Sequence, residues 1–157
     1  MDKEVTVTDP NMTRFMMTLD QAVDLVLYAF EHGKNGDIFV QKSPACTVEA
    51  LANTLIKLFQ SKVVIKTIGT RHGEKLFETL VNREEMIKAI DLGDYYRIPS
   101  DDRELDYELY FSDGKDKISH IEEYNSHNTS RLDSNELEKL LLSVSAVNRA
   151  MKNHNQQ

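Results

Sequence analysis

Tryptophan is absent from this sequence, cysteine occurs once, proline three times and glycine six times. A single cysteine excludes an intrachain disulfide framework and any zinc site built on a cysteine pair. No two of the glycines form a Gly-x-Gly. That removes the dinucleotide-binding turn, where only glycine lets the backbone close on a pyrophosphate. A phosphate-binding P-loop is missing as well: the span from Gly69 to Lys75 has the wrong spacing, and Leu76 stands where a Ser or Thr is needed. Neither His-Glu-x-x-His nor an EF-hand loop occurs. No apolar run approaches the roughly 20 residues of a membrane helix. The opening residues lack the apolar core of a signal peptide. The expectation is a cytoplasmic chain without a membrane span. Positive charge is also scarce: 19 Lys+Arg stand against 26 Asp+Glu, a formal −7. That balance argues against a dedicated nucleic-acid binder, whose affinity comes from phosphate neutralisation. A local basic patch can still hold one anionic ligand.

What is present fits one α/β globular chain of 157 residues, 40% hydrophobic and 29% charged. Glu4 to Thr8 alternates and reads as a strand. Asp9-Pro10-Asn11 is a turn signal. Thr18 and Gln21 have capping-box spacing. Behind them Ala22, Val23, Val26, Leu27 and Phe30 recur at helical spacing, and Gly33 supplies the stop. Asp37 to Gln41 reads as a strand, broken by Ser43-Pro44-Ala45. Thr47 caps a second helix with Leu51, Leu55 and Leu58 on its buried side, and Lys62 to Gly69 alternates again. Helix, strand, helix, strand over residues 18–69 is the alternation of an α/β unit. Leu76 to Val81 is apolar, Glu84 to Ile90 a short helix, and Tyr95 to Pro99 extended. Residues 1–99 thus form an α/β core. Residues 100–133 are polar and loop-rich. Residues 134–157 hold one last helix, carried by Leu137, Leu140, Leu141 and Val144, with a frayed tail from Lys152.

Three places concentrate chemistry. Arg14, in Thr13-Arg14-Phe15 between a strand and a capped helix, can offer a planar fork to a phosphate oxygen pair; the plainer reading is a surface Arg in a solvated loop. In Arg71-His72-Gly73-Glu74-Lys75, Arg71 suits a diphosphate and Glu74 suits two vicinal hydroxyls such as a ribose presents, with Gly73 permitting a tight turn between them. The alternative is a charged loop whose Arg–Glu pair has little energetic value. Tyr124 to Thr129 concentrates hydrogen-bonding groups, Asn125, Ser126, His127 and Asn128 among them; the plainer reading is an ordinary polar loop. His127 has no second ligand at a useful spacing, so it is not read as a metal ligand. Cys46 has no argued base and reads as a small residue after a turn.

Four stretches then resemble a known family in the same order. They are Val7-Thr8-Asp9-Pro10-Asn11-Met12-Thr13-Arg14-Phe15-Met16-Met17-Thr18-Leu19-Asp20-Gln21-Ala22, Gly36-Asp37-Ile38-Phe39-Val40, Ile68-Gly69-Thr70-Arg71-His72-Gly73-Glu74-Lys75-Leu76 and Glu123-Tyr124-Asn125-Ser126-His127-Asn128-Thr129. The likeness is to the C-terminal substrate region of the capsular-polysaccharide type of extended short-chain dehydrogenase/reductase. That family includes UDP-N-acetylglucosamine 4-epimerases, 4,6-dehydratases and 5-inverting dehydratases of capsule, O-antigen and flagellin-sugar pathways. The Asn-Ser-His-Asn tail most resembles its UDP-glucose or UDP-N-acetylglucosamine 4-epimerases.

The resemblance implies a substrate-binding part without its Rossmann half. In the family that half precedes this region and carries the glycine fingerprint and a catalytic Tyr-x-x-x-Lys. Here none of Tyr28, Tyr95, Tyr96, Tyr107, Tyr110 or Tyr124 has a Lys four residues on. No catalytic residue is therefore expected in this chain, and no bound cofactor; NAD(P) belongs to the complete enzyme. The resemblance further implies that Arg14 and Arg71 grip the UDP diphosphate and Glu74 the uridine ribose. Thr13 and Met12 shape the entry, while Asn125, His127 and Asn128 cover the sugar or dock on the other half. The implied partners are a UDP-sugar, a Rossmann domain in cis or in trans, and further copies in a homo-oligomer. Epimerase and dehydratase remain open. So do a non-catalytic binding module, a split-gene subunit and a non-functional remnant.

Overall fold

A computed structural model describes residues 4–100 and 121–154. Much of the polar segment expected at 100–133, and the last three residues of the expected tail, lie outside the described residues. The chain divides into two compact units. One takes Met1–Thr18, Ser43–Glu78 and Ser126–Gln157; the other takes Leu19–Lys42 and Thr79–Asn125.

In the first unit β1 (Val5–Val7) pairs in parallel with β5 (Ile65–Thr67), Val5 opposite Ile65. The alternating run from Lys62 to Gly69 is thus a strand only at its centre. β2 (Thr13–Phe15) runs antiparallel to β4 (Ala45–Thr47), with Arg14 opposite Cys46. Neither strand is visible in the sequence pattern. Pro44 reads as a breaker, yet proline lacks only the N–H; its carbonyl accepts from the Met16 N–H at 2.8 Å, and the strand starts directly after it. α2 (Val48–Leu58) begins as expected at Thr47, whose hydroxyl accepts the Ala50 N–H at 3.1 Å.

The last helix is two helices. α4 (Ser134–Ser143) opens on a capping box of Asp133 and Glu136, and α5 (Ser145–His154) continues the helix through Lys152, where fraying was expected. Val144 between them is extended. Two serines around a β-branched residue favour local side-chain bonding over a helix interior, and the Asn148 side chain satisfies the Leu142 carbonyl across the break at 2.6 Å. The core gathers Cys46, Leu137 and Leu141, with Met16, Leu51, Leu55 and Leu58 packed on it. Burial pushes the Cys46 thiol up, with Arg131 partly offsetting it; it is a core residue, not a nucleophile.

In the second unit β8 (Tyr95–Ile98) is the centre of an antiparallel sheet, flanked by β3 (Ile38–Gln41) and β7 (Ile90–Asp91). β6 (Thr79–Val81) pairs antiparallel with β9 (Tyr124–Asn125). α3 (Arg83–Lys88) is fixed by a capping box of Asn82 and Glu85. The α/β class holds, built from small sheets in which β1 with β5 is the parallel strand pair among the described residues.

α1 (Leu19–His32) ends where Gly33 allows it: a Cβ there would lie 2.5 Å from the Ala29 carbonyl oxygen. The helix seats Tyr28, which stacks on Tyr95 with centroids 4.2 Å apart and meets the edge of Phe39. Much of the apolar stripe at helical spacing faces out. Val23, Val26 and Leu27 are exposed, Leu19 is 81% exposed and Phe30 85%. Of the Phe15-Met16-Met17 cluster, Met16 packs on the core while Met17 is exposed. An apolar helix face exposed in this way associates. The chain is expected to bind an apolar fluorescent dye and to self-associate with rising concentration in sedimentation. A dye-silent monomer at high concentration would contradict this.

Candidate functional site

The site grows from one turn. Residues 71–74 close it with the Glu74 N–H on the Arg71 carbonyl at 3.1 Å. Gly73 takes φ +79°, at the third position, where a type II turn requires a positive φ. A Cβ at Gly73 would meet open space, so the constraint is the dihedral and not a clash. The turn folds the Glu74 side chain back on itself: Oε2 accepts the Arg71 N–H at 3.0 Å. Oε1 accepts the Thr8 hydroxyl at 2.8 Å.

These bonds favour the charged carboxylate. The Arg71 N–H first, then the Thr8 hydroxyl, then the charges of Arg71 and Arg14, hold Glu74 below the usual carboxylate range. A lowered value stabilises the fold at neutral pH and is lost as pH falls through it. The same causes place both arginines within electrostatic reach of Glu74. Their roles differ. Arg14 is a clasp: Nη1 donates to the Thr13 carbonyl at 2.7 Å, Nη2 to the Lys75 carbonyl at 3.0 Å, and Nε lies 3.6 Å from Glu78. The Arg71 guanidinium makes no hydrogen bond or ion pair among the described residues, and Arg71 is exposed.

Met12 and Thr13 are each 1% exposed. The Thr13 N–H donates to the Leu76 carbonyl at 3.0 Å, tying β2 to the end of the 71–76 loop. The Met12 sulfur lies 3.7 Å from Arg14 Nη2 and 3.5 Å from the Thr8 hydroxyl. Beyond Thr13 a buried polar knot forms. Its Oγ1 is 2.7 Å from Ser126 Oγ and 2.7 Å from His127 Nδ1. Ser126 Oγ accepts the Glu78 N–H at 3.0 Å. The turn at 126–128 is thereby pinned: the Phe77 and His127 rings approach to 4.9 Å, and Thr129 donates to the Ser43 carbonyl at 2.9 Å. Asn128 is exposed on that turn. Asn125 belongs to the second unit, buried on β9 with its amide donating to Glu123 at 2.9 Å. Thr8, Glu78 and Ser126 carry contacts in this network; sequence reasoning included Ser126 in the polar stretch without a role of its own and singled out neither Thr8 nor Glu78. Thr8 ends an alternating strand and Glu78 sits in an apolar run, so neither carries a local signal. No group of three or more metal-ligating side chains exists among the described residues.

Comparison with known proteins gives this geometry a family. The polysaccharide biosynthesis protein family matches residues 1–100, and the polysaccharide biosynthesis protein C-terminal family matches residues 101–148. The chain belongs to the polysaccharide biosynthesis protein family. Within it, the chain is 58% identical over 152 residues to a UDP-glucose 4-epimerase of Rickettsia felis, covering 97% of this chain and 45% of that protein. It is likewise 58% identical to the UDP-glucose 4-epimerase of Rickettsia rickettsii, over 96% of this chain and 44% of the relative. Among solved structures it is similar to Pen from Bacillus thuringiensis, with a TM-score of 0.70 and 31% identity, over 89% of this chain and 40% of that one. The chain therefore spans less than half the length of these family members. No helix among the described residues is long and apolar enough to cross a membrane.

Proposed function

We propose that this chain is the UDP-sugar-holding part of a UDP-glucose/UDP-N-acetylglucosamine 4-epimerase-like enzyme of bacterial polysaccharide biosynthesis. The observation that carries the reading is the Arg71–Glu74 turn. It sets an exposed guanidinium, without a hydrogen-bond or ion-pair partner among the described residues, beside a carboxylate already fixed in its charged form. A guanidinium fork matches diphosphate oxygens. A carboxylate whose two oxygens have each taken one donor keeps a further lone pair on each for vicinal hydroxyls. One nucleoside diphosphate satisfies both. Arg14 and the knot at Thr13, Ser126 and His127 hold that turn against β2, with Met12 beneath.

The reading gives this chain an anchoring role. Binding energy at the nucleotide end positions a sugar carbon that reacts elsewhere. NAD(P), the hydride carrier the family implies, does not fit the residues described. The junctions leading into α2, α3 and α4 are closed by the side chains of Thr47, Asn82 and Asp133, and none presents a glycine cradle to a pyrophosphate. The proposal pairs the chain with a Rossmann half, in cis or in trans, that holds the cofactor. The names of the relatives favour epimerase over dehydratase.

Amide spectra of the chain, recorded while UDP is added, test this. Shifts are expected at Thr8, Met12 to Arg14 and Arg71 to Glu74, with α5 unmoved. Spectra unchanged in those loops at millimolar UDP would contradict the reading.

A further inference from the structure

We infer that Thr8 is a positioning residue for nucleotide recognition: its hydroxyl holds the Glu74 carboxylate where ribose hydroxyls meet it. The inference rests on the reading of Glu74 as the ribose acceptor and gives a role to a residue to which the resemblance assigned none. Glu74 stands on an exposed turn, and a free glutamate side chain would lose rotamer entropy on meeting a ligand. Two bonds remove that cost in advance. One comes from the Arg71 backbone, inside the turn itself. The other comes from Thr8, 66 residues away in sequence and 2.8 Å away in space.

Thr8 is well placed for the task. It follows directly on β1, whose last residue, Val7, lies opposite Thr67 on β5 and accepts the Ile68 N–H at 2.9 Å. The strand pair that leads into the 71–74 turn therefore carries both ends of the Thr8–Glu74 bond. The hydroxyl also lies 3.5 Å from the Met12 sulfur. It has one proton, and an ionised oxygen at 2.8 Å takes it in preference to a thioether. With the Arg71 N–H on one oxygen and Thr8 on the other, the carboxylate is fixed at both ends. The charged groups that act on it are Arg71 and Arg14; His72 and Lys75 share its loop, and Asp9 neighbours Thr8 in sequence.

The test uses the 157-residue chain with Thr8→Val, Thr8→Ser and Glu74→Gln. Two quantities are read by NMR: the titration of the Glu74 carboxyl carbon, and affinities for UDP and 2′,3′-dideoxy-UDP. Thr8→Val is expected to raise the Glu74 midpoint and to weaken UDP by about fivefold, the worth of one net hydrogen bond. It should leave dideoxy-UDP unchanged, because that ligand presents no hydroxyls to the carboxylate. Thr8→Ser should restore both readouts, which a packing role of the threonine methyl would not permit. Thr8→Ala, expected to match the valine variant, guards against misfolding of the latter. An unmoved midpoint in Thr8→Val, or an unchanged UDP preference there while Glu74→Gln abolishes it, overturns the role of Thr8. If Glu74→Gln itself leaves the preference intact, or the wild-type chain binds neither ligand, the reading of Glu74 falls and this inference with it.

Discussion

Incubated with UDP-glucose or UDP-N-acetylglucosamine and NAD(P)+, this chain is expected to form no C4 epimer above a buffer control. Oxidation at the fourth carbon needs a hydride acceptor held against the ring and a general acid/base at the hydroxyl. The sequence has no glycine fingerprint, and no tyrosine is followed by lysine at the fourth position. The N-termini of α2, α3 and α4 are closed by Thr47, Asn82 and Asp133. An anchoring site without these parts supplies ligand affinity and no chemical step. Sugar analysis after prolonged incubation, on protein purified from a host lacking its own epimerase, is the check. Turnover that follows the concentration of this chain would mean that its residues carry an acid/base function not recognised here.

Much of this fold was legible from local signals. Thr47 announces its helix because a short polar side chain before an apolar period satisfies orphan N–H groups. Gly33 marks the end of α1 because the backbone there closes on the Ala29 carbonyl and leaves no room for a Cβ. What was not legible depends on partners far away in sequence. β2 and β4 are three residues each, and only their pairing makes them strands. The apolar stripe of α1 shows a helix correctly, but periodicity says nothing of which face is covered. Here Tyr28 turns to Tyr95, and Phe30 is left outside.

The site divides in the same way. The spacing of Arg71, Gly73 and Glu74 within one turn was readable, since turn geometry is local. The contrast between a clasped Arg14 and an open Arg71 was not, because it depends on the Lys75 carbonyl and Glu78. Thr8 and Ser126 enter the network through contacts 66 and 113 residues long.

Arg71 carries the second large effect. Its guanidinium has no protein partner among the described residues, so its removal leaves no buried group unsatisfied and the fold intact. A hydrogen bond to a charged group is worth about 1.5–3 kcal/mol. Arg71→Ala is therefore expected to weaken UDP by roughly 10- to 150-fold. The loss should shrink for uridine, which offers no diphosphate, and it should shrink as salt rises, because the site is exposed. Glu74→Gln is expected to act on the other end of the ligand. It should reduce affinity for UDP more than for a deoxyribose analogue, in which one acceptor contact is already gone.

The central claim is that the turn from Arg71 to Glu74 reads the diphosphate and ribose of one nucleotide. Calorimetric titration of UDP into the wild-type chain and into Arg71→Ala tests it most directly, with amide spectra confirming that both are folded. The account predicts saturable heat for the wild type and an affinity at least about tenfold weaker for Arg71→Ala. Equal affinities for the two proteins, or no binding by the wild type, would contradict it.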